Sequence, residues 1–561
     1  MTGVAAATST RLERWTADRV ADRLWAKDGS LWAESGKAPA EVARWLGWLD
    51  LPETMAGRIA ELEHLARDVR EDGYRRAAVL GMGGSSLAPE LFSRVFGWAG
   101  GSASEAALEL RILDSTHPDA VRGFRSWAGE QRTLFCVSSK SGATTEPNAF
   151  QASMGEIAPA LDFVAITDPG TPLADLARAQ EFRTIVDAPP DVGGRYSALT
   201  VFGLVPAVLN GVDVGGLLER ARRMAAACRE PDAAANPGLR LGAAMGEAAL
   251  EGRDKLTVVL SPRLAAFGDW VEQLVAESTG KGGRGIVPIV GEPIGDPAAY
   301  GEDRVAVSVR LADEGTDGRD DLIGEMRRRG SLIEEIVLSD PLDIGAEFVR
   351  WEVATAAAGI VLGIDPFDQP NVQESKDATT ELLETYRRTG ALPAPAPLVS
   401  EPGISVSAEA GPLGDTPVSV SGAVSLLLSL LQPGRDYFAL LVYLPQDRDT
   451  VERLQRMRAR VRDSVGVATT LGFGPRFLHS TGQLHKGGPD SGVFLQITAD
   501  PAKDLPIPDW PESFGTLIAA QALGDLASLQ ARGRRAIRLH LADPGEGLAR
   551  LEAMMEEALK A

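Results

Sequence analysis

Short uninterrupted apolar runs, each closed by a turn and followed by an amphipathic segment, restrict the architecture of this chain more than any other feature. AAVLG (77–81) leads into GMGGSS, LELRILD (108–114) into STHPD, TLFCVSS (133–139) into KSGATTE, and DFVAIT (162–167) into DPGTP. A strand covered on both faces reads as an unbroken apolar run, and strands alternating with helices need crossover connections. The pattern therefore predicts a parallel sheet between two helical layers. Ligands of such sheets sit beyond the carboxyl ends of the strands. KLTVVLSP (255–262), GIVPIVG (285–291) and RVAVSVRL (304–311) repeat the pattern and predict a second α/β unit.

At 561 residues the chain exceeds one ordinary core. Residues 1–70 read as a helical segment, 71–225 as the first α/β domain and 226–387 as the second. Residues 388–422 are rich in Pro, Gly, Ser and Ala and read as a linker or insertion. Residues 423–561 read as a C-terminal region of helices and strands. The 57 basic residues face 78 acidic ones, a net −21, which argues against a nucleic-acid surface. Any phosphate bound here must be held locally, against the overall field. The first residues show no signal-peptide pattern, and no apolar run is long enough to span a bilayer. Two cysteines, Cys136 and Cys228, cannot build a disulfide framework, and a reducing cytoplasm fits best.

Three segments carry chemistry. GMGGSS (81–86) ends an apolar run and offers close backbone approach at a helix start; it lacks the third glycine of a dinucleotide fingerprint. SSKSGATTE (138–146) puts five hydroxyls and a lysine ahead of a helix beginning near Glu146, more than one helix cap needs, and is read as a phosphate cradle. In FGDWVEQLVAESTGKGGRG (267–285), apolar residues at 267, 270, 271, 274 and 275 share one helix face, and Gly280 ends the helix. Glu277 falls in its last turn, where the negative end of the dipole disfavours a carboxylate charge, a tendency suited to a general base. HSTGQLHKGG (479–488) holds two of the chain's five histidines, six residues apart, without the acidic or cysteine neighbours of a metal site.

GMGGSSLAP, SSKSGATTE, VGGRYSALT, EQLVAESTGKGGRGIVP, DPFDQPNVQESK and HSTGQLHKGG together resemble the signature segments of the glucose-6-phosphate isomerase (phosphoglucose isomerase) family. The order of these segments is most like the isomerase half of bifunctional transaldolase–isomerase proteins, with no added transaldolase domain expected. The resemblance implies an α/β fold of two sugar-isomerase (SIS-type) doubly wound parallel-sheet domains plus a C-terminal α+β region. It implies interconversion of glucose 6-phosphate and fructose 6-phosphate through a cis-enediol in glycolysis or gluconeogenesis, without cofactor or metal, in a homodimer.

By position, Gly84, Ser85, Ser139, Lys140, Ser141 and Thr144 correspond to the family's phosphate cradle, with Ser141 where a Thr is usual. Glu277 corresponds to the base, Gln273 and Gln369 to substrate-contacting glutamines, and Arg195 to the arginine beside the enediolate. Lys376 and His479 correspond to the ring-opening lysine and histidine. The departure is the order: the family histidine normally lies between the base and the lysine, whereas His479 follows both. The family commonly takes this histidine from a neighbouring subunit, and His479 is open to the same arrangement. His485 and Lys486 are read as substrate contacts or solvated loop residues. The competing readings are a dual phosphoglucose/phosphomannose isomerase, a non-catalytic sugar-phosphate-binding regulator, and a dinucleotide-dependent oxidoreductase resting on the glycine loop alone.

Overall fold

In the computed structural model, which describes residues 3–97, 107–315, 318–393, 396–408 and 417–560, three sheets follow one another along the chain. The first comprises β1 (Arg76–Gly81), β2 (Glu109–Leu113), β3 (Thr133–Ser138), β4 (Phe163–Thr167) and β5 (Thr184–Asp187). Its order is β2-β1-β3-β4-β5 and all its pairings are parallel. Every residue of β1 and β3 is buried, as expected of central strands covered on both faces. From β1 the chain runs to one edge as β2, then crosses to the other side of β1 as β3. The β1/β3 boundary is thus a topological switch point, where open α/β sheets leave a crevice. GMGGSS and SSKSGATTE leave the sheet at the two lips of that crevice.

The second sheet contains β6 (Lys255–Leu260), β7 (Val287–Ile289), β8 (Arg304–Leu311) and β9 (Leu332–Leu338), in the parallel order β7-β6-β8-β9. The helices before residue 72 wrap onto this unit. Trp32 is buried and its indole N–H donates to the Ala356 carbonyl at 2.9 Å, while Arg11 pairs with Glu247 at 2.6 Å.

The third sheet contains β10 (Val399–Glu401), β11 (Ile404–Ser407), β12 (Tyr437–Tyr443), β13 (Ala468–Phe473), β14 (Gly492–Ala499) and β15 (Arg535–Leu541), in the order β10-β11-β15-β14-β12-β13. Its β15-β14-β12-β13 portion is parallel, and β10 and β11 join antiparallel at one edge. Two strands thus come from the segment read as a linker or insertion. Ile404 and Val406 turn inward and complete the core over Leu539 and Leu541, an alternation too short to register against the surrounding Pro, Gly and Ser. Residues 394–395 and 409–416 of that segment lie outside the described residues.

One apolar cluster joins the second and third units. It unites Ala276 with Val287 and Ile289 of β7, and with Leu441, Phe477, Leu484 and Ile518 from the C-terminal region. The histidine-bearing segment is therefore packed directly against the end of the Glu277 helix.

The segment around His485 differs from its sequence reading. Residues Gly482–Gly487 form a short helix with every residue buried. The His485 ring lies among Tyr437, Phe477 and Phe494, and burial, with Lys486 and Arg534 nearby, pushes its pKa well down. Lys486 pairs with Asp525 at 2.7 Å, each side chain 1% exposed. Neither residue lines the cavity described below; the glycine-rich sequence hid their burial because the apolar partners are remote in sequence. Removing one member of such a pair strands a buried charge. Lys486→Met is expected to lower stability by about 3–5 kcal/mol in urea unfolding, and the additional change Asp525→Leu to recover most of that loss.

Candidate active site

The Ala265–Thr279 helix delivers Gln273 and Glu277 one turn apart on the same face. Its amphipathic spacing buries the other face in the core shared by the first and second units, which leaves these two polar groups turned toward the β1/β3 crevice. Glu277 is buried, and its Oε1 lies 3.3 Å from an Arg195 guanidinium nitrogen. Arg195 supplies the opposite charge that a carboxylate in a last helical turn lacks.

Arg195 is itself fixed from four directions. Its Nε donates to Ser278 Oγ at 2.8 Å, one terminal nitrogen to Gln369 Oε1 at 3.0 Å, and the other to the carbonyls of Pro366 at 2.7 Å and Asp368 at 2.9 Å. A guanidinium presents these donors in a planar fork, which an ammonium could not. The loop that carries it, Gly193–Gly194–Arg195, runs so close to GMGGSS that a Cβ on Gly84 would lie 1.9 Å from the Gly194 carbonyl.

The glycines of GMGGSS thus serve close packing. Gly83 has φ +54°, a conformation favouring glycine, and a Cβ there would lie 3.0 Å from the His479 carbonyl and 2.9 Å from Gln273 Nε2.

His479 reaches this point from the far side. It ends the short Arg476–His479 turn that follows β13. The Gln273 amide donates to Glu277 Oε2 at 3.1 Å and to the His479 carbonyl at 2.8 Å. His479 Nε2 lies 3.1 Å from Glu146 Oε1, and Glu146 also accepts from Gln521 Nε2 at 2.6 Å. Burial alone would push the Glu146 carboxyl upward, but the charge and hydrogen bond of His479, with Lys376 nearby, outweigh it and hold the pKa below the ordinary value. Sequence had offered Glu146 only as a helix start; nothing local to SSKSGATTE tells of a partner 333 residues away.

At the cradle, Ser139 Oγ donates to Thr144 Oγ1 at 3.0 Å. Thr144 is the N-cap of the Thr145–Gly155 helix, yet its side chain makes no capping bond. The hydroxyl faces the crevice instead, and the helix start keeps its attraction for an anion. The Lys140 ammonium is committed to Asp168 at 2.6 Å and to the Pro190 carbonyl at 3.2 Å. Its side chain therefore braces the loop rather than pointing a free charge into the cradle. Lys376 stands exposed two turns into the Pro370–Thr389 helix, which Gln369 precedes as N-cap.

The twelve residues matched to the family by position all line one cavity of about 350 Å³, together with the apolar Trp45, Met82, Phe367 and Val372. That volume suits a small ligand. Among the described residues, no three His, Cys, Asp or Glu side chains are grouped to hold a metal ion, and no helix is long and apolar enough to cross a membrane.

Known proteins resemble this chain along most of its length. A glucose-6-phosphate isomerase of Carboxydothermus hydrogenoformans is 30% identical over 402 residues, covering 60% of this chain and 85% of that protein. The chain belongs to the glucose-6-phosphate isomerase family. Another member of the family, from Rubrobacter xylanophilus, is 30% identical over 390 residues, covering 59% of this chain and 88% of its own. No family model matches the chain. Among solved structures, a hypothetical protein from Thermus thermophilus superposes with a TM-score of 0.56 at 22% identity, over 68% of this chain and 98% of that one, a likeness of fold.

The Glu146–His479 contact gives this isomerase-family site a testable electrostatic signature. A carboxyl whose folded pKa is depressed contributes stability that is present above its unfolded value, near 4.3, and lost as pH falls through the folded value. In carbon-detected NMR, Glu146 is expected to titrate below the ordinary glutamate value in the wild type and at a higher pH in His479→Ala, where burial is opposed by the backbone hydrogen bond, Lys376 and Gln521 alone. An unchanged midpoint would contradict the pairing.

Proposed function

We propose that the chain is a glucose-6-phosphate isomerase that interconverts glucose 6-phosphate and fructose 6-phosphate through ring opening and a cis-enediol. The single observation that carries the reading is the Gln273 amide joining the Glu277 carboxylate to the His479 turn, with Arg195 against the same carboxylate. A site built only to bind a sugar phosphate has no use for a proton-transfer pair held at that spacing.

In this reading the phosphate rests on the hydroxyls of Ser85, Ser139, Ser141 and Thr144, near Gly84 and the start of the Thr145–Gly155 helix, with Lys140 bracing the loop. The cyclic sugar then lies toward His479 and Lys376. The anomeric hydroxyl gives up its proton, the ring oxygen gains one, and the C1–O5 bond breaks. His479, oriented by Glu146, carries the transfer with Lys376 alongside.

Glu277 next removes the C2 proton of the open aldose and returns it to C1 while the O2 hydroxyl proton passes to O1, and the reverse order serves the ketose. The developing oxyanion faces the guanidinium of Arg195, whose four anchors leave it little to reorganise. Gln273 and Gln369 hold the substrate hydroxyls and the catalytic groups in register. We include in the proposal a cytoplasmic homodimer whose catalytic set comes from one chain, since His479 meets Glu146 of its own chain.

A coupled assay of fructose 6-phosphate conversion tests the reading. Glu277→Gln is expected to lower kcat by about 10³-fold or more with KM little changed, in line with what a positioned base contributes. A wild-type protein inactive on this substrate would sink the proposal, and near-full activity of Glu277→Gln would remove Glu277 from the role of base.

A further inference from the structure

Arg476 lies three residues before His479 in the same short turn, yet it lines no part of the cavity that holds His479 and Glu277. Its guanidinium instead meets carboxylates from three separate elements. It pairs with Glu90 of the Leu87–Phe96 helix, with Asp114 just beyond β2 at 3.4 Å, and with Asp269 of the Glu277 helix at 3.4 Å. Those elements are the ones that position the glycine loop and the base. The neighbouring Phe477 anchors the other side of the turn in the apolar cluster shared with Ala276 and Ile518.

A turn of four residues has little stiffness of its own. Two anchors pointing in different directions, one ionic and one apolar, fix both its place and its rotation. A fork able to satisfy several carboxylates at once is the property that distinguishes arginine from lysine here. Its removal would leave the turn without its ionic anchor and the three carboxylates with Arg94, 3.6 Å from Glu90, as the counter-charge that remains beside them.

We infer that Arg476 is a positioning residue for ring opening: by clamping the turn to Glu90, Asp114 and Asp269 it holds the His479 ring against Glu146. The inference rests on the isomerase reading above. It separates the residue from catalysis proper, because Arg476 touches neither substrate nor reacting atoms. Its effect falls on the step that uses His479, because the Leu87–Phe96 and Ala265–Thr279 helices, which flank the cradle and carry the base, are held by their own buried faces.

The test compares two readouts in Arg476→Met and Arg476→Lys. One is the rate at which the protein interchanges the α and β anomers of glucose 6-phosphate, which requires only opening and reclosing of the ring. The other is inhibition by a linear hexonate 6-phosphate, which needs the cradle and the Glu277 side of the site but no ring opening. Arg476→Met is expected to slow anomer interchange by about tenfold or more, the scale on which a misplaced catalytic group is felt, while the inhibition constant stays within about threefold. Arg476→Lys is expected to fall between this variant and the wild type.

Equal changes in both readouts would make Arg476 a general structural residue and overturn the inference, as would unchanged anomer interchange in both variants of an active protein. If the methionine variant does not fold, the lysine variant decides by the same comparison. A wild-type protein without anomer interchange or isomerisation would instead overturn the isomerase reading.

Discussion

The side-chain amide of Gln483 ties together the pieces on which the site depends. Buried completely, it donates to the Gly280 carbonyl at 2.9 Å and to Asn371 Oδ1 at 2.7 Å, and it accepts from the Asn371 backbone N–H at 2.9 Å. Gly280 closes the helix bearing Gln273 and Glu277. Asn371 lies in the first turn of the helix that bears Lys376, two residues after Gln369. Gln483 itself follows His479 by four residues. One amide thus joins three elements separated by up to about two hundred residues of chain, and it does so where no water can replace a lost bond. The glycines nearby keep this junction tight: a Cβ on Gly487 would lie 2.3 Å from Asn371 Oδ1 and 2.6 Å from the Gly280 carbonyl.

The electrostatics follow from the same packing. A chain with net charge −21 has to gather positive potential at one point if it is to hold a phosphorylated sugar. It does so with Arg195, Lys376, His479 and a helix start around one cavity. Other cations near the site are neutralised locally. Lys140 is paired with Asp168, and Lys281 is buried against Asp368, with burial pushing its pKa down to about 8. What remains directed into the cavity is the set that an enediolate and a phosphate require.

Much of this was legible in the sequence, and the part that was not has a common cause. The unbroken apolar runs at 77–81 and 133–139 reported β1 and β3 because central parallel strands have no polar face to show. Glu277 was placed in a last helical turn by apolar spacing and Gly280, both local signals, while its reading as the base came from the family resemblance. Glu146, Gln483 and Arg476 were missed as organisers because these partners lie more than a hundred residues away and no local pattern marks a long-range hydrogen bond. Lys140 was placed in the phosphate cradle by family position, and its ion pair with Asp168 had no local signal because Asp168 comes from the next strand's turn. The strands β10 and β11 escaped because two short alternations sit within Pro- and Gly-rich chain, and only the open edge of β15 gives them a partner.

His479, displaced to the C-terminal region, meets Glu146 of its own chain, and on the proposed function it completes that chain's site. Subunit complementation tests it most directly. Glu277→Gln and His479→Ala chains carrying different tags are co-expressed, and the mixed oligomer is isolated through both tags. With each site completed within one chain, its isomerase activity is predicted to stay at the average of the two defective parents. Recovery well above that average would mean that His479 serves a neighbouring subunit's Glu277, and would contradict the account.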